Sequence, residues 1–204
     1  MAYNDSFPKI PAQAVGPRDA DYLLSLAKQS STVKVSMATH GKFLPDTTGH
    51  NIIAEIKGSQ FPEEIITIGG HLDSWDVNEG AHDDGAGVVH TIEVMRAFLA
   101  VGYQPKRTIR FVLFANEENG LRGGTAYAAA AKEKNEKYIF ALESDEGGFT
   151  PRGFSFTAAP EKVAAAQRWL PLLKPYGTSS MDDIGGGADI GPLNRNLNTP
   201  LCGF

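Results

Sequence analysis

The chain has 204 residues, of which 42% are hydrophobic and 21% are charged. This is the composition of a globular domain with one sizeable core, and it excludes disordered and fibrous proteins. The net charge is −5 and the Lys and Arg residues are scattered, which argues against nucleic acids and anionic membrane surfaces as partners. No run reaches the roughly 18 apolar residues of a membrane span, and the single cysteine, Cys202, excludes an intrachain disulfide.

The first predicted elements are a helix and a strand. The segment PRDADYLLSLAKQ, residues 17–29, predicts a helix with Pro17 at its first position. The segment TVKVSMAT, residues 32–39, alternates apolar and polar side chains. That alternation predicts a half-buried strand.

Beyond residue 50, apolar strands alternate with segments of helical periodicity. The predicted strands lie at residues 51–58, 63–70, 108–116 and 137–144, and the predicted helices at residues 85–101, 121–135 and 159–174. Such an alternation predicts an α/β fold, a three-layer α/β/α sandwich around a mostly parallel central sheet.

Histidine and carboxylate side chains follow three of these strands, where each strand ends. His71 comes directly after EEIITIGG, Glu117 and Glu118 follow TIRFVLFAN, and Asp145 follows KYIFALES. Asp83 precedes the first helix of this region. Because sites in open α/β sheets form outside the carboxyl ends of the strands, we expect these side chains to meet at one edge.

The residue types at this edge indicate a divalent metal. An imidazole combined with carboxylates suits Zn²⁺, whereas sets made only of oxygen ligands suit Ca²⁺ or Mg²⁺. Asp73, two residues after His71, is placed to accept the free ring N–H and to fix the tautomer. Glu117 and Glu118 project in different directions on extended backbone, so that one can bind metal while the other acts as a general base.

Each motif alone also has a simpler interpretation. An H-x-D tripeptide and an EEN after a strand are both common in solvated loops. The acidic pair in DDGAG is equally typical of a helix N-cap. The segment GGGADIGPL, residues 185–193, is either a flexible loop near the substrate or a plain linker. The metal hypothesis therefore depends on the conjunction of the motifs.

Four motifs together resemble those of a known enzyme family. They are GGHLDSWD, GAHDDGAG, ANEENG and LESDEGG. The set is similar to that of the co-catalytic dinuclear zinc exopeptidases of clan MH, and within them to the carboxypeptidase Q-like branch. The resemblance runs from about Pro45 to the C-terminus.

This resemblance implies a role for each residue of the set. His71 and Asp145 resemble the ligands of one zinc, and Asp83 resembles the carboxylate that bridges two zincs. Glu118 resembles a ligand of the second zinc. Glu117 resembles the general base, which takes a proton from water and passes it to the leaving amine.

The resemblance also implies two features that can be compared with this chain. The peptide bond between Asp83 and Asp84 is expected to be cis. The second zinc is expected to take a histidine from a later loop, but no histidine follows His90. An intact site holds two Zn²⁺ ions, and we therefore expect only one of the two ions to have its complete set of ligands here. We expect little or no activity as a result.

The two ends of the chain indicate a fragment of a longer enzyme. Residues 1–42 resemble the end of the protease-associated domain inserted in this branch, followed by a linker. Residues 43–204 resemble a zinc peptidase catalytic domain that is incomplete at its C-terminal end.

The expected function is hydrolysis of terminal bonds in peptide or dipeptide substrates, by an aminopeptidase or a carboxypeptidase Q-like dipeptidase. A glutaminyl-cyclase-like enzyme on the same scaffold is one alternative, and a non-catalytic receptor-like ectodomain is another. The resemblance implies a secreted or periplasmic protein. Homodimer formation is left open.

Overall fold

The computed structural model describes residues 10–40, 42, 44–145, 147–182 and 185–204. The described residues form two compact units, one up to Thr47 and one from Thr48 to Phe204. The predicted boundary between residues 42 and 43 lies close to this division. The assignment of the first unit to a protease-associated domain stays a prediction, and its residues 1–9 lie outside the described residues.

The first unit contains the helix α1, Pro17–Gln29, which begins at the predicted proline and buries no residue. The predicted strand at residues 32–39 is wrong, because that segment forms no strand and is exposed throughout. Alternating side chains stabilise a strand only when a neighbouring strand takes up its backbone hydrogen bonds. Within the described residues, no strand pairs with this segment.

The second unit is built on a mixed sheet with helices in the connections. Its elements in chain order are β1 Ile52–Ile56, β2 Phe61–His71, α2 Gly85–Ala100, β3 Arg107–Phe114, α3 Arg122–Glu133, β4 Lys137–Glu143, β5 Gly153–Thr157, α4 Pro160–Gln167, α5 Leu170–Leu173, a 3₁₀ turn Lys174–Tyr176, β6 Ser180–Asp182, α6 Gly191–Leu197 and β7 Leu201–Gly203. The described strands are ordered β1-β3-β2-β4-β7-β5-β6. Strands β3, β2, β4 and β7 are parallel, β1 is antiparallel to β3, and β5 is antiparallel to β7.

Helices cover both faces of this sheet, which confirms the predicted three-layer fold. Successive side chains of a strand point to opposite faces, so neighbouring residues of β7 enter different cores. Leu201 packs in the cluster that holds Tyr127 of α3 and Leu193 of α6. Cys202 packs in the cluster that holds Val163 of α4.

Two predictions about the later part of the chain need correction. The helix predicted at residues 159–174 is divided into α4 and α5, because Pro171 lacks an N–H and its ring clashes with the carbonyl four residues earlier. The segment at residues 185–193 is not a plain linker, since Ile190 and Leu193 are fully buried and α6 begins at Gly191. Within the described residues, no helix has both the length and the apolar character needed to cross a bilayer.

Candidate metal centre

Parallel strands bring the predicted residues to one edge of the sheet. His71 is the last residue of β2 and lies opposite Phe114, the last residue of β3. Gly69 of β2 lies opposite Glu143, the last residue of β4. The residues that follow β3 and β4 therefore emerge beside His71, as predicted from the sequence.

The four predicted metal ligands lie close together. The Nε2 atom of His71 is 3.1 Å from Oδ1 of Asp83 and 3.2 Å from Oδ1 of Asp145. Ligand atoms of His71, Asp83 and Glu118 all lie within 4.8 Å of one another. His71 is 1% exposed, whereas the side chains of Asp83 and Asp145 are 56% and 30% exposed. The site therefore has a buried imidazole and carboxylates that open to solvent.

The neighbouring Asp84 was not predicted as part of the site. The peptide bond between Asp83 and Asp84 is cis, which confirms the prediction. The buried Asp84 carboxylate accepts hydrogen bonds from the backbone N–H of His71 and of Gly87, both at 2.9 Å, and is the N-cap of α2. The N-cap interpretation of DDGAG thus holds for Asp84, while Asp83 faces the His71 ring.

Asp73 contacts the site differently from the prediction. The Nδ1 atom of His71 is 2.7 Å from the backbone oxygen of Asp73, whereas the nearer carboxylate oxygen is 3.7 Å away. The backbone carbonyl therefore accepts the ring N–H and leaves Nε2 facing the carboxylates. The Asp73 carboxylate instead accepts the backbone N–H of Glu117 at 2.9 Å and of Glu118 at 3.3 Å.

Crowded negative charge dominates the electrostatics of the centre. Burial lowers the pKa of His71, but the hydrogen bond to Asp145 and the charges of Asp145 and Asp84 outweigh it and raise the pKa to about 10. Burial, together with neighbouring carboxylates, raises the pKa of Glu117 and of Glu118 above the ordinary value. A divalent cation would relieve this repulsion, and one imidazole with several carboxylates is a donor set that fits zinc.

Two buried acids lie behind the ligands, and one of them, Glu143, was missed by the sequence analysis. Glu143 is 1% exposed and Asp189 is 0% exposed. Burial raises the pKa of Glu143 to about 7 against the opposing hydrogen bonds from Ile190 and Asp189. Burial and the charges of Glu143 and Glu117 raise the pKa of Asp189 to about 8. A glutamate inside the apolar segment YIFALE was the one signal in the sequence that marked Glu143 as unusual.

Two clefts lie next to the centre. One, of about 520 Å³, is lined by Asp145, by the glycines at 185–187 and by Arg195 of α6. The other, of about 490 Å³, is lined by His82, Phe149 and other residues near the start of β5. Asp145 therefore borders space that a small molecule can enter.

Comparisons with known proteins show the family to which the chain belongs. The sequence profile of Peptidase family M28 matches residues 51–192. Carboxypeptidase Q of Mus musculus is 37% identical over 188 residues, which are 92% of this chain and 40% of that protein. The chain thus spans about two fifths of the length of the relative.

Solved structures show the same fold. A Peptidase M28 precursor from Shewanella amazonensis SB2B has 34% identity and a TM-score of 0.80, over 98% of this chain and 46% of that chain. A zinc aminopeptidase from Bacillus subtilis has 24% identity and a TM-score of 0.61, over 76% of this chain and 39% of that chain. The second likeness concerns the fold alone.

Proposed function

Because the chain belongs to Peptidase family M28, we propose that it carries the centre of a metal-dependent exopeptidase that acts on peptides or dipeptides with a dinuclear zinc site, of which the first zinc has its full set of ligands here and the second lacks a histidine. The observation that supports this proposal most directly is the approach of Asp83 and Asp145 to within 3.2 Å of the His71 ring. Three separate elements supply these groups, and a helical cap alone would not bring them together.

The ligand assignment is the one that the family resemblance implies. His71 and Asp145 would hold one zinc, Asp83 would bridge, and Glu118 would hold the second zinc. Zinc bound there would polarise the scissile carbonyl and lower the pKa of a bound water to about 7. Each carboxylate could then stay charged despite its neighbours, because the cations compensate the repulsion.

Glu117 is the residue that we assign to proton transfer. It lies half-buried at the edge of the sheet, and burial raises its pKa towards the range where a carboxylate accepts a proton readily. In this role Glu117 takes a proton from the attacking water and delivers it to the leaving amine. Asp73 holds the backbone N–H groups of Glu117 and Glu118 and thereby orients both side chains.

Zinc stoichiometry and peptidase assays test this proposal together. The chain is reconstituted with zinc, exchanged into metal-free buffer, and analysed for bound zinc beside His71→Ala. Hydrolysis of aminoacyl and dipeptide substrates is then compared between the parent chain and Glu117→Gln. Retained zinc that depends on His71 supports the metal centre, and turnover that depends on Glu117 supports the mechanism. Zinc retention that is unchanged in His71→Ala would refute the centre.

Product analysis separates the proposal from the cyclase alternative. Hydrolysis of a peptide with N-terminal glutamine releases a free amino acid, whereas cyclisation gives pyroglutamate and releases none. Formation of pyroglutamate without a free amino acid would favour the glutaminyl-cyclase-like activity.

Export from the cytoplasm remains part of the proposal, because the resemblance to the carboxypeptidase Q-like branch implies a secreted or periplasmic protein.

A further inference from the structure

Glu143 lies at the junction of three segments behind the metal centre. It is the last residue of β4 and precedes Asp145 by two residues. Its backbone carbonyl accepts the N–H of Phe204, whose own carbonyl accepts the N–H of Asp145. Phe204, which follows β7, thus hydrogen-bonds the backbone of both Glu143 and Asp145.

The side chain of Glu143 binds the third segment, residues 187–190. Its carboxylate accepts three consecutive backbone N–H groups, from Ala188 at 3.0 Å, Asp189 at 3.3 Å and Ile190 at 2.8 Å. A Cβ at Gly187 would lie 2.4 Å from one of its oxygens, so that only glycine allows this close approach. The carboxylate therefore holds the backbone of this segment against the end of β4.

This arrangement leaves a buried negative charge without a basic partner. Among the described residues, no Lys or Arg forms an ion pair with Glu143. The segment that Glu143 holds also carries Asp189, whose two carboxylate oxygens are buried and accept no hydrogen bond within the described part of the chain. Buried carboxylates that lack a cation are costly, and a fold keeps them where another group compensates the charge.

We propose that Glu143 is a positioning residue for the metal centre, whose carboxylate fixes residues 187–190 on the end of β4 and so keeps Asp145 in register with His71. This inference rests on the proposed function, because it needs a cation at His71, Asp83 and Asp145. The carboxylate ties the end of β4, two residues before Asp145, to residues 187–190.

Zinc affinity of the 204-residue chain tests the inference. Dissociation constants are measured by competition with a chromophoric chelator for the parent, Glu143→Gln, Glu143→Asp and the control Glu136→Gln. Glu136 is a suitable control because it is half-buried and hydrogen-bonded by Arg110 and Tyr138, away from the metal centre. Each protein is measured at a temperature where its circular dichroism spectrum is native, so that a loss of stability does not register as a loss of affinity.

We expect Glu143→Gln to weaken zinc binding about 10–100-fold, as is typical for groups that orient metal ligands. Glu143→Asp keeps the charge but is one methylene too short to reach all three N–H groups, so it should weaken binding as well. Glu136→Gln should stay within about twofold of the parent.

Parent-like zinc affinity in both Glu143 variants would overturn the inference. Parent-like affinity in Glu143→Asp alone would also overturn it, because a carboxylate that cannot reach all three N–H groups would then be enough for zinc binding. Should Glu143→Gln fail to fold, Glu143→Asp decides. Failure of the proposed function is distinct from either result, because the parent chain itself would then hold no zinc that depends on His71.

Discussion

Acidic side chains near the beginnings of the parallel strands differ in their ion-pair partners from those at the strand ends. Near the beginnings, Glu64 lies 2.5 Å from Arg107, and Arg110 bridges Glu55 at 2.6 Å and Glu136 at 2.9 Å. Each of these three acids has a basic partner. The charges of this region are therefore compensated by the protein itself.

At the strand ends, three of the acids have no such compensation. Within the described residues, Asp83, Asp84 and Asp145 pair with no Lys or Arg, and His71 is the basic group among them. The contrast teaches that acidic content alone does not mark a metal site. A candidate metal site is indicated where acidic side chains lack basic partners at an edge of the sheet that borders open clefts.

The largest effect is expected for the residue that we assign to proton transfer. Glu117→Gln should lower any peptidase turnover about 10²–10⁴-fold, because general base catalysis contributes an effect of this size. Zinc binding should persist, since Asp83, Asp145 and His71 remain. Parallel assays of hydrolysis and bound zinc measure both quantities. Turnover that survives this substitution would place the base elsewhere.

Removal of the imidazole is expected to break the strand-end centre itself. His71→Ala deletes the group that all the nearby carboxylates face, so zinc affinity should fall by more than the roughly 10–100-fold typical of outer partners. The chelator competition assay measures this change. Because Arg110 and Glu136 lie in the other region, Arg110→Ala serves as the control and should leave zinc affinity unchanged.

The same Arg110→Ala variant should lower stability instead of metal binding. It removes the shared partner of Glu55 and Glu136, and the free energy of unfolding should fall by about 2–3 kcal/mol, below the 3–5 kcal/mol of a fully buried pair. Urea unfolding at neutral pH measures the loss. A loss under about 0.5 kcal/mol, the range of ordinary surface substitutions, would show that these contacts contribute nothing.

A smaller effect is expected from the titration of Glu136. Burial acts to raise the pKa of Glu136, but hydrogen bonds from Arg110 and Tyr138 outweigh it and lower the pKa below 4.5. A lowered pKa in the fold means that the charged carboxylate stabilises the protein above about pH 4.5 and ceases to do so as the pH falls further. The stability difference between the parent and Glu136→Gln should therefore shrink in acid, as urea unfolding at several pH values would show. A constant difference would contradict this assignment.

Much of the fold and centre could be predicted because the signals are local. Strand ends are visible in the sequence as apolar runs that stop at polar residues, which placed His71, Glu118 and Asp145 at one edge. The cis bond at Asp83 came from the family resemblance alone. These positions follow from short motifs and from the rule that parallel strands end together.

Features that depend on contacts between distant segments could not be predicted. Asp73 meets the backbone of Glu117, 44 residues away, and Glu143 meets that of Asp189, 46 residues away. Neither pairing leaves a periodic signal. The wrong strand at residues 32–39 has the same cause, because alternation describes a side-chain pattern and does not supply a partner for the backbone.

The position of β7 has a consequence for how this unit assembles. Although β7 is the last described strand in the chain, it lies between β4 and β5, and it alone joins β5 and β6 to the remaining strands. The sheet therefore stays in two parts until residues 201–203 insert between them, and contacts over such long sequence separations form slowly. Since Phe204 then binds the backbone of Asp145, the candidate metal centre is complete only when β7 has joined the sheet.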